Sequence, residues 1–483
     1  MSKPRRPQID PSRLPHMERL VDEVRAEVKK RCGPDSTYEE RRDASAVVMG
    51  ETLWLDEEKE LQELAETEEE VEVEGAKYRR LEQSSSATYR GRFGSHEIAE
   101  PLYRRVGVHN GPTIKPLDVR VGVMPGRMTP DFARIAGELS GSCNSRELEK
   151  ILTTVGLRPP SRAFLEKRLV ELADTIGSQI ECLEGDSREQ TAIPGKVASI
   201  SCGTDRMAIR MTELADDEEA RPVHRRKPYQ RQKPLPTKNV YRMSWVGSTT
   251  LYDSAGEVLQ SFRYAAPANA DADEIARRVS ADVVWVMASH PDVPLQCVQD
   301  GAPELRKLPK LLKETLPPGT QLNELIDFEH LMGYLDAIVD VCDPGDSEDM
   351  KGRYRSALLT DDEAIDRIFS DIKRQRNQLE EQPQEISKQR EAMNAAITYI
   401  RCRKDRMRYA TFYEQGLTIG SGDTEGTVGL MQQRVKRRGQ SWKEKGLRGI
   451  QNVRALVLSN RWKSAWNSFA AQFRKEVVVT ACG

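Results

Sequence analysis

Ile419-Gly420-Ser421-Gly422-Asp423-Thr424-Glu425-Gly426, continued by Met431-Gln432-Gln433-Arg434-Val435-Lys436-Arg437-Arg438-Gly439-Gln440-Ser441-Trp442, joins a flexible turn to an acidic helix start and a basic tail. A Gly-Ser-Gly turn does not persist inside a helix but releases one directly after it. Asp423 and Glu425 then fall in the first turn, where the helix dipole favours negative charge. Two to three turns later the same predicted helix becomes basic at Arg434, Lys436, Arg437 and Arg438. An acidic head on a basic stem suits a metal ion held beside a phosphate backbone. A capped surface helix has the same composition, so the test is whether other carboxylates converge on it.

The sheet that such acids need is legible upstream. Lys196–Gly203 is an apolar strand running to Thr204 and Asp205, with Met207–Met211 as its continuation or hairpin partner. Val240–Tyr252 and Glu257–Tyr264 alternate like strands and are joined by Asp253-Ser254-Ala255-Gly256, a hairpin turn. Ala272–Ala288 is amphipathic and helical. Pro294–Gln299 is a short buried strand stopping on Asp300 and Gly301, and Leu322–Asp327 repeats that design before the helix Phe328–Val341. This order predicts an α/β fold with a mixed sheet covered by helices. Carboxylates at strand ends gather at one edge of such a sheet, where ligands bind.

The flanks differ in texture. Residues 1–95 are polar, with helices predicted at Val21–Val28 and Ala44–Leu64 and a solvated acidic linker at Glu66–Glu74. Pro101–Gly111 is strand-like. Asp131–Leu139, Ser145–Val155 and Ser161–Ile176 are short amphipathic helices with tight breaks, which read as a helix-turn-helix unit or as a small bundle without DNA contacts. Glu181–Glu189 reads as a polar hinge and Arg221–Lys238 as an exposed basic loop. Asp361–Glu381 and Ile386–Met407 form a charged antiparallel helical insertion. Gly446–Phe473 is a basic helix or pair of helices carrying Trp462 and Trp466. The expected units are 1–95, 96–185 (DNA-binding), 190–345 (first part of the core), 346–412 (insertion) and 413–483 (last part of the core).

The 483 residues carry a formal net charge of -2, which hides acidic and basic blocks that set the local field a polyanion meets. The eight cysteines are scattered without a CxxC pair, as in a reducing compartment. No apolar run approaches a membrane span and the first residues lack a secretory apolar core, so a cytosolic protein with no membrane partner is expected.

Cys297-Val298-Gln299-Asp300-Gly301-Ala302-Pro303-Glu304-Leu305, Leu325-Ile326-Asp327-Phe328-Glu329-His330-Leu331 and Thr418–Glu425 resemble the motifs of DDE transposases of bacterial insertion sequences. Arg434–Trp442 and Arg454-Ala455-Leu456 resemble the ISKra group in particular, and the likeness runs over about residues 97–465. It implies a ribonuclease H-like core interrupted by a helical insertion before the last acid, and DNA cleavage and strand transfer at the ends of a mobile element. Asp205, Asp300 and Glu425 become the metal-binding triad for two Mg²⁺ or Mn²⁺ ions, with His330 at the scissile phosphate or a flipped nucleotide. Arg434, Lys436, Arg437 and Arg438 would grip DNA phosphates, and Trp442 either stacks on a splayed base or packs on the core. Asp327 and Asp423 are supporting acids; Asp327 with His330 matches an Asp-x-x-His element, whose plainer reading is a cap and a packing histidine. Double-stranded DNA is the implied partner, with a homodimer or higher assembly pairing two ends. The sequence departs from many such proteins at Val108-His109-Asn110-Gly111, where cysteines of a zinc ribbon are missing, so no structural zinc is expected. Two rival functions share these residues: a DNA-binding regulator that does not cut, and a ribonuclease H-like nuclease that hydrolyses without joining.

Overall fold

The computed structural model describes residues 14–215, 236–342, 347–379 and 387–479. The chain divides into two compact units, Met1–Leu172 with Trp466–Gly483, and Ala173–Ala465. The loop expected at Arg221–Lys238 lies outside the described residues as far as residue 235, and its last two residues already belong to a strand.

The first unit begins with α1 (Leu14–Arg31) and α2 (Tyr38–Leu64). Thr37 and Glu40 start α2 with a capping box, each side chain bonding the other's backbone N–H. Three strands follow, β1 (Glu70–Val73), β2 (Ala76–Arg90) and β3 (Ser95–Arg105), then the short β4 (Thr113–Ile114). They form a sheet of order β1-β2-β3-β4, with Val477–Val479 antiparallel on the outer side of β1. The acidic linker expected at Glu66–Glu74 is therefore corrected. Glu70-Val71-Glu72-Val73 alternates with the two-residue period of a strand, placing Val71 and Val73 inside, and the net charge of the run obscured that period. After α3 (Pro116–Val121) come α4 (Pro130–Ser140), α5 (Ser145–Thr154) and α6 (Arg162–Gly177), the three short helices foreseen.

The second unit opens with α7 (Ile180–Gln190), where a polar hinge was expected. Two of its polar residues, Glu184 and Ser187, are turned inward, and Glu184 grips Arg278 through two hydrogen bonds, 3.0 and 2.6 Å, so composition misled. Then come β5 (Ser199–Leu214), β6 (Thr237–Tyr252), β7 (Val258–Ala266), α8 (Ala272–Ser289), β8 (Leu295–Gln299), α9 (Lys307–Thr315) and β9 (Leu322–Ile326). The five strands lie in the order β7-β6-β5-β8-β9, antiparallel from β7 to β5 and parallel from β5 to β9. In the β6–β7 turn, Asp253 Oδ1 accepts from Ala255 N and Glu257 N, both at 2.9 Å, and Gly256 takes φ +77°. One face of the sheet carries Ile200, Cys202, Leu251, Leu295 and Cys297 against Val279, Val283 and Val286 of α8, all buried.

α10 (Phe328–Cys342) leads into α11 (Ser347–Thr360), α12 (Ala364–Leu379) and α13 (Ser387–Arg401), which share an apolar core of Leu331, Leu335, Ile365, Ile368, Ile397 and Ile400. The short α14 (Ala410–Glu414) returns the chain to α15 (Gly422–Val435), followed by the pair α16 (Glu444–Leu458) and α17 (Trp462–Ala471). Among the described residues, no helix is long and apolar enough to cross a membrane.

Candidate active site

β5 occupies the centre of the second sheet, and side chains along it alternate between its two faces. Cys202 and Thr204 look one way; Gly203 and Asp205 look the other, together with Ser248 of β6. α15 covers this second face, packing on β5 and β6. Gly203 makes that approach possible, because a Cβ there would lie 2.6 Å from Val298 O and 2.7 Å from Thr424 Oγ1. Thr424 and Ser248 share a hydrogen bond of 2.8 Å across the seam, and Tyr252 donates to Asp423 on the same helix turn.

Asp300 arrives beside Asp205 through the parallel register of β5 and β8. Cys202 pairs with Cys297, and two residues on Gln299 Nε2 donates to Thr204 Oγ1 at 2.8 Å. The next residue in each case is an acid, Asp205 within β5 and Asp300 just past the end of β8. Burial pushes the Asp205 carboxyl above its usual range, and the charge of Asp300 adds to the rise. The Arg206 backbone N–H and the charges of Arg206 and His330 pull it back. Each acid has one oxygen engaged locally: Asp205 Oδ1 accepts from Arg206 N at 2.6 Å and Asp300 Oδ1 from Ala302 N at 2.7 Å.

Glu425 is exposed in the first turn of α15, with Ser421 Oγ 3.5 Å from Oε1. Among the described residues, no three His, Cys, Asp or Glu side chains gather closely enough to hold a metal ion. Asp205 and Asp300 thus come together, with His330 in electrostatic range of Asp205, while Glu425 stands on the adjoining helix start.

Asp327 is buried and takes the capping role. Its Oδ1 accepts from His330 N at 2.6 Å, starting α10, and its Oδ2 accepts from Ser421 N. Phe328 N also donates to Ile419 O at 3.2 Å, so the β9–α10 junction holds the turn from which α15 starts. His330 itself is exposed, near the rings of Tyr334 and Tyr399 at 6.0 and 5.8 Å between centroids.

The basic stem needs correction. α15 stops at Val435, so Lys436, Arg437 and Arg438 lie in the loop beyond it, which turns at Gly439 with φ +77°. Lys436 and Arg438 are exposed; Arg437 is half-buried, its Nε donating to Gln433 O at 3.0 Å. Arg434 is buried, its guanidinium 5.2 Å from the centroid of the Trp442 ring. Trp442 is buried too: Nε1 donates to Val435 O at 2.9 Å, and its backbone exchanges hydrogen bonds with Arg210 O and Thr212 N. Of its two expected roles the structure realises packing, and the ring is not on offer to a base.

Tyr399 and Arg403 escaped the sequence reading. Both reach the backbone at Asp300 and Gly301 from the end of α13, and only their i, i+4 spacing on a helix end could have drawn notice. A scan against protein-family models finds no match to this chain, and a search of curated proteins finds none either.

Proposed function

We propose that this chain is a DDE-type transposase of a bacterial insertion sequence, resembling the ISKra group, which cuts DNA at the element ends and joins them to a target. The observation that carries the proposal is the pair Asp205, within β5, and Asp300, just past the end of the parallel strand β8, beside the helix that bears Glu425. A sheet of three antiparallel and two parallel strands, with acids on the first and after the fourth and a helical segment before the last, supports a ribonuclease H-like core. The helices α4 to α6 support a DNA-binding role for the first unit, and a homodimer or higher assembly in the bacterial cytosol follows from pairing two DNA ends.

The acid pair fits a divalent cation. Both donors are hard oxygens, each with one oxygen committed to a backbone N–H, and the mutual repulsion felt at Asp205 is what a cation relieves. Asp205 and Asp300 would hold Mg²⁺ or Mn²⁺, with Glu425 contributing from α15. Two such ions, when bound, supply an activated attacking oxygen and charge for the leaving one.

The remaining work belongs to side chains. In the first step water attacks the phosphodiester, the P–O bond to the leaving 3′ oxygen breaks, and a 3′-hydroxyl is released. In the second that hydroxyl attacks a target phosphodiester and expels another 3′ oxygen. His330, exposed at the start of α10 and fixed by its backbone bond to Asp327, donates to a phosphate oxygen beside Asp205. Lys436 and Arg438 neutralise neighbouring phosphates. Arg434 and Trp442 hold the loop that presents them, a supporting role in place of direct DNA contact.

The test is to incubate the protein with labelled duplex DNA from the flanks of its own coding region, with Mg²⁺ or Mn²⁺, beside Glu425→Gln. Cut and joined products from the wild type, lost in the variant, support the proposal. Cutting without joining favours the hydrolytic nuclease, and equal binding without cutting by either favours the regulator.

A further inference from the structure

Asp300 stands in a short connection between β8 and the turn before α9, with nothing on its own strand beyond Gln299 to fix it. Its backbone is instead held from a distant part of the chain. Tyr399, in the last turn of α13, donates its hydroxyl to Asp300 O at 2.6 Å. Arg403, just past that helix, donates Nε to Gly301 O at 2.9 Å and Nη1 to Tyr399 O at 2.9 Å. The two side chains also brace each other, with the guanidinium 4.6 Å from the Tyr399 ring centroid. Tyr399 is buried and stacks on Tyr334 of α10, centroids 4.2 Å apart and planes 19° from parallel.

The fit at Gly301 is close. Its φ of +83° is a conformation that L side chains avoid, and a Cβ there would come within 2.6 Å of Arg403 Nε and 2.9 Å of Ile326 Cδ1. The bend lets the Asp300 carboxylate fold over its own turn and accept from Ala302 N at 2.7 Å. Two successive carbonyls, those of Asp300 and Gly301, are thus pinned on one side while the carboxylate is oriented on the other.

We propose that Tyr399 and Arg403 are positioning residues for Asp300: the helical segment between β9 and α15 fixes the metal-binding carboxylate through the backbone on either side of it. This rests on Asp300 being a metal ligand. The helices α10 to α13 then do more than fill a gap in the chain. A displacement of α13 releases both carbonyls together, and with them the carboxylate.

The Ala302 amide gives a readout independent of chemistry, because it is protected by the Asp300 carboxylate itself. Hydrogen exchange of the peptide spanning 299–305 is measured by mass spectrometry in metal-free protein, for the wild type, Tyr399→Phe and Arg403→Lys. Tyr399→Phe keeps the ring and its stack and removes only the hydroxyl; Arg403→Lys keeps the charge and loses the fork. Losing one such hydrogen bond predicts exchange faster by roughly threefold to tenfold, with circular dichroism unchanged. The Mn²⁺ concentration at half-saturation, followed by electron paramagnetic resonance, rises by a similar factor, and excess metal restores cleavage. Unchanged exchange in both variants overturns the clamp. Faster exchange with wild-type Mn²⁺ affinity overturns its role in metal binding. If the wild type itself binds no Mn²⁺, the site reading fails, and that failure shows without reference to either variant.

Discussion

Replacing Gly203 by alanine tests how α15 is seated on the sheet. The added methyl would lie 2.6 Å from Val298 O and 2.7 Å from Thr424 Oγ1, against ordinary heavy-atom contacts of roughly 3.5 Å or more. Neither neighbour yields easily. Val298 O is backbone in a fully buried strand, and Thr424 Oγ1 is tied to Ser248 at 2.8 Å. Overpacking of this kind costs about 1–3 kcal/mol, and loss of the Thr424–Ser248 bond about 0.5–1.5 kcal/mol more. Gly203→Ala is therefore expected to lower stability by about 1.5–4.5 kcal/mol, summing those two terms, and to displace the first turn of α15. The control lies in the same helix. Gly429 is exposed and a Cβ there meets nothing within 4 Å, so Gly429→Ala exchanges backbone freedom for helix propensity. It should gain about 0.5–1 kcal/mol. Urea unfolding of the three proteins, followed by circular dichroism, measures both. Gly203→Ala within about 0.5 kcal/mol of the wild type, or Gly429→Ala equally damaging, would refute the close seating of α15.

Asp282→Ala should destabilise the second unit by about 3–5 kcal/mol in the same assay, because it strands a buried guanidinium. Asp282 is fully buried and bridges Arg461 and Arg188, with Tyr264 as a third partner. Glu100 sets a pH dependence in the first unit. Burial raises its carboxyl above the usual value, outweighing the hydrogen bonds from Leu117 N and Glu66 N. The folded state then holds the proton to higher pH than the unfolded one, so this group's contribution is full below the unfolded pKa and falls as pH rises through the folded one. Urea midpoints of wild type and Glu100→Gln should accordingly separate as pH increases, the variant falling less. Lys436→Ala and Arg438→Ala should each flatten the salt dependence of DNA binding by about 0.9 in log–log slope. Trp442→Ala should lower the unfolding midpoint instead, since its ring is buried against Val435 and Arg434.

Where a residue's environment is local, the sequence was readable. The β6–β7 hairpin follows from alternation and from Asp253 and Gly256, and α8, expected at Ala272–Ala288, spans Ala272–Ser289. The start of α15 follows from Gly-Ser-Gly and the acids behind it. The sequence pattern sets both Asp205 and Asp300 on strand ends. β5 instead runs on through Asp205 to Leu214, Asp300 does follow the end of β8, and their adjacency needed the parallel β5–β8 register, which no local pattern encodes. The misreadings share one cause, that charge was taken as exposure. Glu70 and Glu72 alternate with buried valines in β1, Glu184 is buried against Arg278, and Arg434 packs beneath Trp442. Tyr399 and Arg403 stayed hidden for another reason, since they act about a hundred residues from Asp300. Long-range pairing decides such cases, and composition is silent about it.

Replacing Asp300 by cysteine puts the central claim to its most direct test. A thiolate binds Mg²⁺ poorly and tolerates softer metals better, so a ligand position reveals itself by a change in metal preference. Cleavage of labelled DNA by the wild type and by Asp300→Cys is measured in Mg²⁺ and in Mn²⁺. The expected result is loss of the variant's activity in Mg²⁺ with recovery in Mn²⁺, raising the Mn²⁺-to-Mg²⁺ ratio well above that of the wild type. A ratio equal to the wild type's, or full activity of the variant in Mg²⁺, would contradict Asp300 as a metal ligand and the phosphoryl-transfer site built on it.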